Sequence, residues 1–162
     1  MQNGKVTAQI RRPQVDIRDS EGNIRETVTA DVPDLIYVSG ALPGSPVVLD
    51  GATLAIRYRR GDPFKGEPGL VWTIEGEKGE LRLISQDGPA IQALSQPGVI
   101  EIHDFATDKV ETVKWLWHDW QQELPLSAKN IGALYEAFAD GRDYPTFQDA
   151  VERHKQISSF LE

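Results

Sequence analysis

The stretch GLVWTIEGEKGELRL, residues 69–83, decides how the chain is expected to fold. An apolar run is followed by a charged turn between glycines and then by a second run in which apolar and polar residues alternate. Short runs of this kind joined by a glycine-containing turn are typical of a β-hairpin. The stretch therefore predicts two antiparallel strands in the middle of a sheet.

Further strand signals lie on both sides of this hairpin. The other extended runs are 5–12, 24–30, 34–42, 47–61, 98–105 and 109–118, with a loop predicted at 86–97. Because parallel strands need crossovers of a dozen or more residues, the short turns between these runs predict antiparallel pairing. No helical pattern interrupts this part of the chain.

The last third of the chain changes to helical spacing. The first helix is predicted over 127–141, with Ser127 as its N-cap and Gly141 as its C-terminal stop. Thr146 and Asp149 form a capping-box-like pair at the start of the second helix. Strands followed by helices predict an α+β fold, a large, mostly antiparallel open β-sheet with helices packed on one face. Residues 1–162 are predicted to form a single domain.

Composition excludes several classes of protein. The chain has 162 residues, no cysteine and a formal net charge of −8. Without cysteine there is no disulfide, no thiolate nucleophile and no Cys-ligated metal. A nucleic-acid-binding protein normally has a basic surface, so the negative charge argues against that partner. Neither a membrane-spanning run nor a secretory signal is present, and a cytoplasmic location is expected.

The glycines of the opening region do not form a phosphate-binding motif. They are Gly61, Gly66, Gly69, Gly76 and Gly79. A dinucleotide fingerprint needs its glycines between a strand and a helix, and here they stand between strands. We interpret them as turn glycines. Lys78 lies between Glu77 and Glu80, and is predicted to be a solvated turn cation rather than a catalytic lysine.

The histidines and tryptophans give no complete active site. His103, His118 and His154 do not have metal-ligand spacing, and His154 is predicted to be a core histidine on the apolar face of the last helix. Trp115 and Trp117 are predicted to share one face of a strand. Both core packing and an interface remain open for them. No catalytic, cofactor-binding or metal-binding residue is predicted.

Several segments together resemble the C-terminal domain of Gfo/Idh/MocA-type oxidoreductases, in the fungal branch similar to the galactose-pathway repressor. They are DLIYVSGAL, RGDPFKGEPGLVWTIEGEKGELRL and NIGALYEAFADGRDYPTFQDAVERHKQI. The resemblance implies a domain whose sheet forms a wall of the substrate pocket and a dimer interface. It also implies NAD or NADP bound by an N-terminal Rossmann domain, which we expect to be absent from this chain together with the active-site lysine of a Glu-Lys-Pro motif.

Three functions remain open on this basis. The first is the substrate-binding and dimerisation domain of an NAD(P)-dependent oxidoreductase-like protein, not redox-competent by itself. The second is a stand-alone non-catalytic interaction or regulatory module, and the third is a cofactor-free cyclase or isomerase that reuses the pocket. The expected partners are a second copy bound through the sheet face and a small hydroxylated or carbonyl substrate, with no nucleic acid and no membrane.

The candidate substrate contacts are the residues expected to face the nucleotide domain. Arg60 or Lys65 would orient an anionic or hydroxylated ligand, and Phe64 and Trp72 would form an apolar wall. A surface cation or a sheet-packing aromatic is the alternative for each of them. Trp115 and Trp117 are the interface candidates.

Overall fold

A computed structural model describes residues 2–89, 98–115 and 117–161. The elements in these ranges are β1 (Gln2–Gln9), β2 (Gln14–Arg18), β3 (Ile24–Thr29), β4 (Leu35–Ala41), β5 (Thr53–Arg59), β6 (Leu70–Glu75), β7 (Gly79–Ser85), β8 (Val99–Asp104), β9 (Lys109–Thr112), α1 (Asp119–Gln122), α2 (Leu126–Ala139) and α3 (Phe147–Leu161). The contacts group the chain into two compact units. The first contains Met1–Gly61 and Thr146–Glu162, and the second contains Asp62–Pro145.

The first unit is built on the antiparallel sheet β1-β4-β5. Val6, Val38 and Ile56 are register partners across its three strands, and Val38 is buried. Because side chains alternate along each strand, the residues between these positions lie on the other face of the sheet, which is polar. On that face Arg57 Nε donates a hydrogen bond to the Tyr37 hydroxyl at 3.0 Å.

The strands β2 and β3 form a separate hairpin in the first unit. Its turn depends on Asp19, whose Oδ1 accepts hydrogen bonds from the backbone N–H groups of Glu21 and Asn23. The backbone hydrogen bond from Asn23 is the main reason why the pKa of Asp19 lies below its ordinary value. These hydrogen bonds close the turn that joins β2 to β3.

The helix α3 begins with the predicted capping box. Asp149 N–H donates to Thr146 Oγ1 at 3.2 Å, and Thr146 N–H donates to Asp149 Oδ2 at 2.7 Å. These bonds satisfy backbone donors that have no partner in the first turn of a helix. The helix lies against β1. His154 is exposed on it, so the prediction of a core histidine is wrong.

The second unit is built on the four-stranded antiparallel sheet β6-β7-β8-β9. The hairpin predicted at 69–83 is its first pair, with Trp72 opposite Leu83 and Glu75 opposite Glu80. Its strand β6 is an outer strand, so the prediction that the hairpin lies in the middle of a sheet is wrong. Gly76 N–H closes the turn by donating to Gly79 O at 2.8 Å. A Cβ on Gly79 would lie 2.3 Å from His103 O, so β8 passes too close for any residue but glycine.

The helices α1 and α2 of the second unit pack against each other. Buried Gln121 joins them, since its Nε2 donates to Lys129 O at 2.8 Å. The helix α2 begins at Leu126 after Pro125, so the prediction of Ser127 as N-cap is wrong. Its end is as predicted: Gly141 has a φ of 66°, and Arg142 N–H returns to Ala137 O at 2.9 Å in a Schellman motif.

The α+β class and the antiparallel pairing are confirmed. Within the described residues the strands pair as three sheets, of three, two and four strands, rather than as one large sheet. The strand predicted at 109–118 is shorter, because β9 ends at Thr112. Residues 90–97 of the loop predicted at 86–97 lie outside the described residues. No described helix is long and apolar enough to cross a membrane.

Candidate functional site

The four candidate substrate contacts fall in different parts of the chain. Arg60 follows β5 in the first unit, where its backbone N–H donates to Asp34 O at 2.8 Å and its side chain is exposed. Phe64, Lys65 and Trp72 belong to the second unit. The prediction that these four residues contact a substrate therefore stays a prediction.

Phe64 and Lys65 lie in a tight turn that precedes β6. Glu67 N–H donates to Phe64 O at 2.8 Å, and Gly66 supplies the positive φ of 90° that the turn requires. The Phe64 side chain is 80% exposed. This is the exposure of an aromatic residue available to a ligand or a partner and not of a core residue.

Trp72 is part of a continuous apolar surface on the second-unit sheet. Register places Trp72 beside Leu83 and Ile74 beside Leu81, and Leu81 in turn lies beside Ile102. Because side chains of paired positions share a face, we define the apolar sheet face as Leu70, Trp72, Ile74, Leu81, Leu83, Ile100 and Ile102.

The apolar sheet face is open. Trp72 is 54% exposed, Ile74 50% and Ile102 42%. Among the described residues of the second unit, neither α1 nor α2 lies against the sheet. Adjacent exposed apolar side chains on one face are unfavourable in water, and such patches typically mark interaction sites.

The opposite face of the same sheet is mixed, because polar side chains lie there beside an apolar row of register partners, Val71, Ile84 and Val99. Arg82 Nη2 and Nε both donate to Glu101 Oε2, at 2.7 and 3.2 Å. His103 Nε2 lies 2.9 Å from Asp108 Oδ1. The two faces thus differ in composition: the opposite face combines paired charged side chains with apolar ones, whereas the apolar sheet face is formed by apolar residues in register on three strands.

A shallow depression lies at the hairpin end of the apolar sheet face. It has a volume of about 390 Å³, its apolar lining residues are Ile74, Leu81 and Ile102, and Lys78 lies at its edge. Lys78 is exposed, as predicted for a turn cation.

Asp104 is a carboxylate next to this depression. It accepts hydrogen bonds from the backbone N–H and the side-chain hydroxyl of Thr107 and from the backbone N–H of Ala106, and these bonds lower its pKa. A lowered carboxyl pKa is unsuited to acid–base catalysis near neutral pH.

Trp115 and Trp117 lie beyond the end of β9, so the prediction that they share a face of a strand is wrong. Their rings pack edge to face, with centroids 5.3 Å apart. Trp115 Nε1 donates to Gly98 O at 3.3 Å, and Lys129 Nζ lies 5.7 Å from the centre of the Trp117 ring. These contacts tie the segment to its own unit, and an interface role for the two residues remains a prediction.

A second depression, of about 540 Å³, lies along α2. Its apolar residues are Ile131, Leu134, Ala137 and Tyr144. Asn130 and Asp143 add polar groups at its edge. No cluster of three His, Asp or Glu side chains suited to a metal ion occurs within the described ranges.

Comparison with protein-family models gives one match. The model described as the Gal80p C-terminal domain matches residues 3–85, which is slightly more than half of the chain. The chain belongs to the Gal80p C-terminal domain family. This confirms the resemblance to the C-terminal domain of Gfo/Idh/MocA-type proteins.

The Gal80p-type match covers β1 to β7 and thus includes the hairpin with Trp72 and Ile74, and also Arg60, Phe64 and Lys65. Trp115 and Trp117 lie outside it. Comparison with curated proteins gives no match. Sequence reasoning named Trp72 but missed Ile74 and Ile102 on the same face of the sheet. The alternation of β6 and β8 was visible in the sequence, whereas the register of each strand with β7 was not.

Proposed function

We propose that this chain is the substrate-binding and self-association domain of an NAD(P)-dependent oxidoreductase-like protein. It works beside a separate nucleotide-binding domain and does not transfer hydride by itself. Membership of the Gal80p C-terminal domain family supports the general role. The single observation that favours self-association is the open apolar sheet face, on which Trp72 and Ile74 of β6 and Ile102 of β8 are all partly exposed.

Self-association through this face has to overcome charge repulsion. By residue count, the second unit has seven Lys and Arg against fifteen Asp and Glu, so the whole net charge of −8 resides in it. Two like-charged units repel each other at low ionic strength, and salt screens this repulsion. Because apolar burial drives the contact, its affinity should rise with salt concentration.

Sedimentation velocity tests this proposal. Over a range of protein concentration at moderate salt, the weight-average sedimentation coefficient should rise from the monomer to the dimer value. The rise should begin at a lower protein concentration when salt is increased. A coefficient that stays at the monomer value at every concentration and both salt levels would refute self-association.

The absence of hydride transfer by the chain alone has its own physical reason. A dinucleotide binds where a glycine-rich loop leads from a strand into a helix, so that backbone N–H groups meet the pyrophosphate. The glycines around the hairpin instead close turns between strands, as Gly66 and Gly79 do. These residues do not fit a nucleotide site. Titration of the chain into NADH or NADPH should leave the nicotinamide fluorescence unchanged, and saturable binding would contradict the proposal.

We further propose that Phe64, Lys65 and Trp72 of the second unit contact a hydroxylated or carbonyl substrate. The exposure of Phe64 and the proximity of its turn to the start of β6 support this role. Saturation-transfer NMR with a panel of simple polyols and sugars would detect the contact. Lys65→Gln should weaken the signal, whereas Lys109→Gln, on the far edge strand, should not. Equal signals for the two variants would remove Lys65 from the site.

A further inference from the structure

The strand β6 is the outer strand of its sheet, and half of its backbone groups face away from β7. The order β6-β7-β8-β9 leaves it paired on one side only. Gly76 N–H bonds to Gly79 O, and hydrogen-bonded pairs alternate along antiparallel strands. Ile74 and Trp72 therefore bond to β7, while the N–H and C=O of Thr73 and Glu75 point outward. Among the described residues no hydrogen bond from these outward N–H groups is found.

This edge lacks the features that protect edge strands. Lysines, prolines, β-bulges and short length normally prevent an edge from pairing with another chain. The register of β6 with β7 is regular from Leu70 to Glu75, and LVWTIE contains neither proline nor a cation. The other edge, β9, is only four residues long and includes Lys109 and Glu111. The two edges of one sheet thus differ in their ability to accept a further strand.

The charge at this edge indicates the partner. Glu75 and Glu80 are directly opposite each other, and like charges at such a pair are destabilising. Neither forms an ion pair within the described residues, and Glu77 in the turn adds a third exposed carboxylate. A cationic side chain beside Glu75 would offset this repulsion. The surplus of negative charge in the second unit favours approach of a cationic partner and disfavours a second copy.

We propose that the outer edge of β6 binds an extended cationic segment of another protein as an additional strand. Backbone hydrogen bonds to Thr73 and Glu75 supply affinity, and alternate side chains supply specificity. Residues on one side of the added strand lie next to Trp72 and Ile74 and should be apolar. Residues on the other side lie next to Thr73 and Glu75 and should be lysine or arginine. The expected ligand is a peptide in which apolar and basic residues alternate.

Peptides with this alternation test the proposal directly. The probe is a fluorescein-labelled Val-Lys-Val-Lys-Val-Lys peptide, and the matched control replaces every lysine with glutamate. Fluorescence anisotropy should show binding of the lysine peptide and at least tenfold weaker binding of the glutamate peptide. Raising the salt concentration should weaken binding of the lysine peptide, which is opposite to the salt effect on self-association. Equal affinity for the two peptides overturns the proposal, and so does a lack of binding by the lysine peptide.

Variants of the edge separate strand addition from loose charge attraction. Thr73→Pro removes an outward N–H without removing a bond to β7, and should weaken binding at least tenfold, while Thr73→Val should bind like the wild type. If Thr73→Pro does not fold, as judged by far-UV circular dichroism, Glu75→Lys replaces it. Glu75→Lys should bind the lysine peptide at least tenfold more weakly than the wild type does, and should bind the glutamate peptide more tightly. Wild-type affinity in Thr73→Pro, or in Glu75→Lys, overturns the proposal.

Hydrogen exchange of the unliganded chain provides a third readout. The amides of Thr73 and Glu75 should exchange rapidly in dilute protein and become protected when the lysine peptide is added. Protection in dilute protein without peptide would show that the chain covers its own edge. Protection that rises with protein concentration alone would show that a second copy occupies it. Either result overturns the proposal.

Discussion

Replacing Gly79 with alanine should open the sheet of the second unit at the point where β7 and β8 approach most closely. The added Cβ would lie 2.3 Å from His103 O, whereas ordinary contacts begin at 3.4 Å. The shortfall is roughly 1 Å, and the atom that must yield belongs to the backbone, so no rotamer change relieves it. Forced overpacking of this kind costs about 3 kcal/mol.

Urea unfolding followed by far-UV circular dichroism measures this cost. With an m-value of about 2 kcal/mol/M, the midpoint should fall by about 1.5 M in Gly79→Ala. Gly98→Ala is the control, because its Cβ would meet Ile84 O at 3.3 Å and needs a shift of only a few tenths of an ångström. Its midpoint should fall by less than about 0.5 M. Equal midpoints for the two variants would refute the steric reasoning and the close pairing of β7 with β8.

Two further predictions concern the helices. Thr146→Ala removes the N-cap of α3 and should destabilise the chain by about 1 kcal/mol, seen as a lower urea midpoint that Gln148→Ala does not share. The pKa of Asp149 is lowered, first by its side-chain hydrogen bond with Thr146, so its ionised form stabilises the folded state at neutral pH. That contribution should disappear as pH falls through the lowered pKa, and the difference in midpoint between wild type and Asp149→Asn should vanish there. A difference that persists at acid pH would contradict the assignment.

The hairpin, the end of α2 and the start of α3 could be predicted from sequence because their determinants are local. Alternation, the turn glycines and the Thr146–Asp149 pair act within a few residues, and the structure has all of them. The end of β9 is not local. Aromatic residues favour strands, yet Trp115 leaves the sheet to pack on Trp117 and to bond Gly98.

The candidate site was less predictable than the fold because it depends on register. A single tryptophan in LVWTIE does not reveal that Ile74 and Ile102 lie on the same side of the sheet, since their strands are far apart in sequence. Burial was equally hard to predict, and His154 shows why. A helical pattern marks an apolar face, but whether another element covers that face depends on tertiary packing.

The central claim, that the chain associates through the apolar sheet face, is tested most directly by a pair of variants on β6. Ile74 and Val71 are exposed to 50% and 51% and lie on opposite faces of the same strand. Ile74→Glu should weaken the dimer at least tenfold in sedimentation equilibrium, because it places an unpaired charge in an apolar contact. Val71→Glu adds the same charge on the opposite face of the sheet, beside Ile84, and should change the dimerisation constant by less than threefold. Equal effects of the two substitutions would contradict the claim.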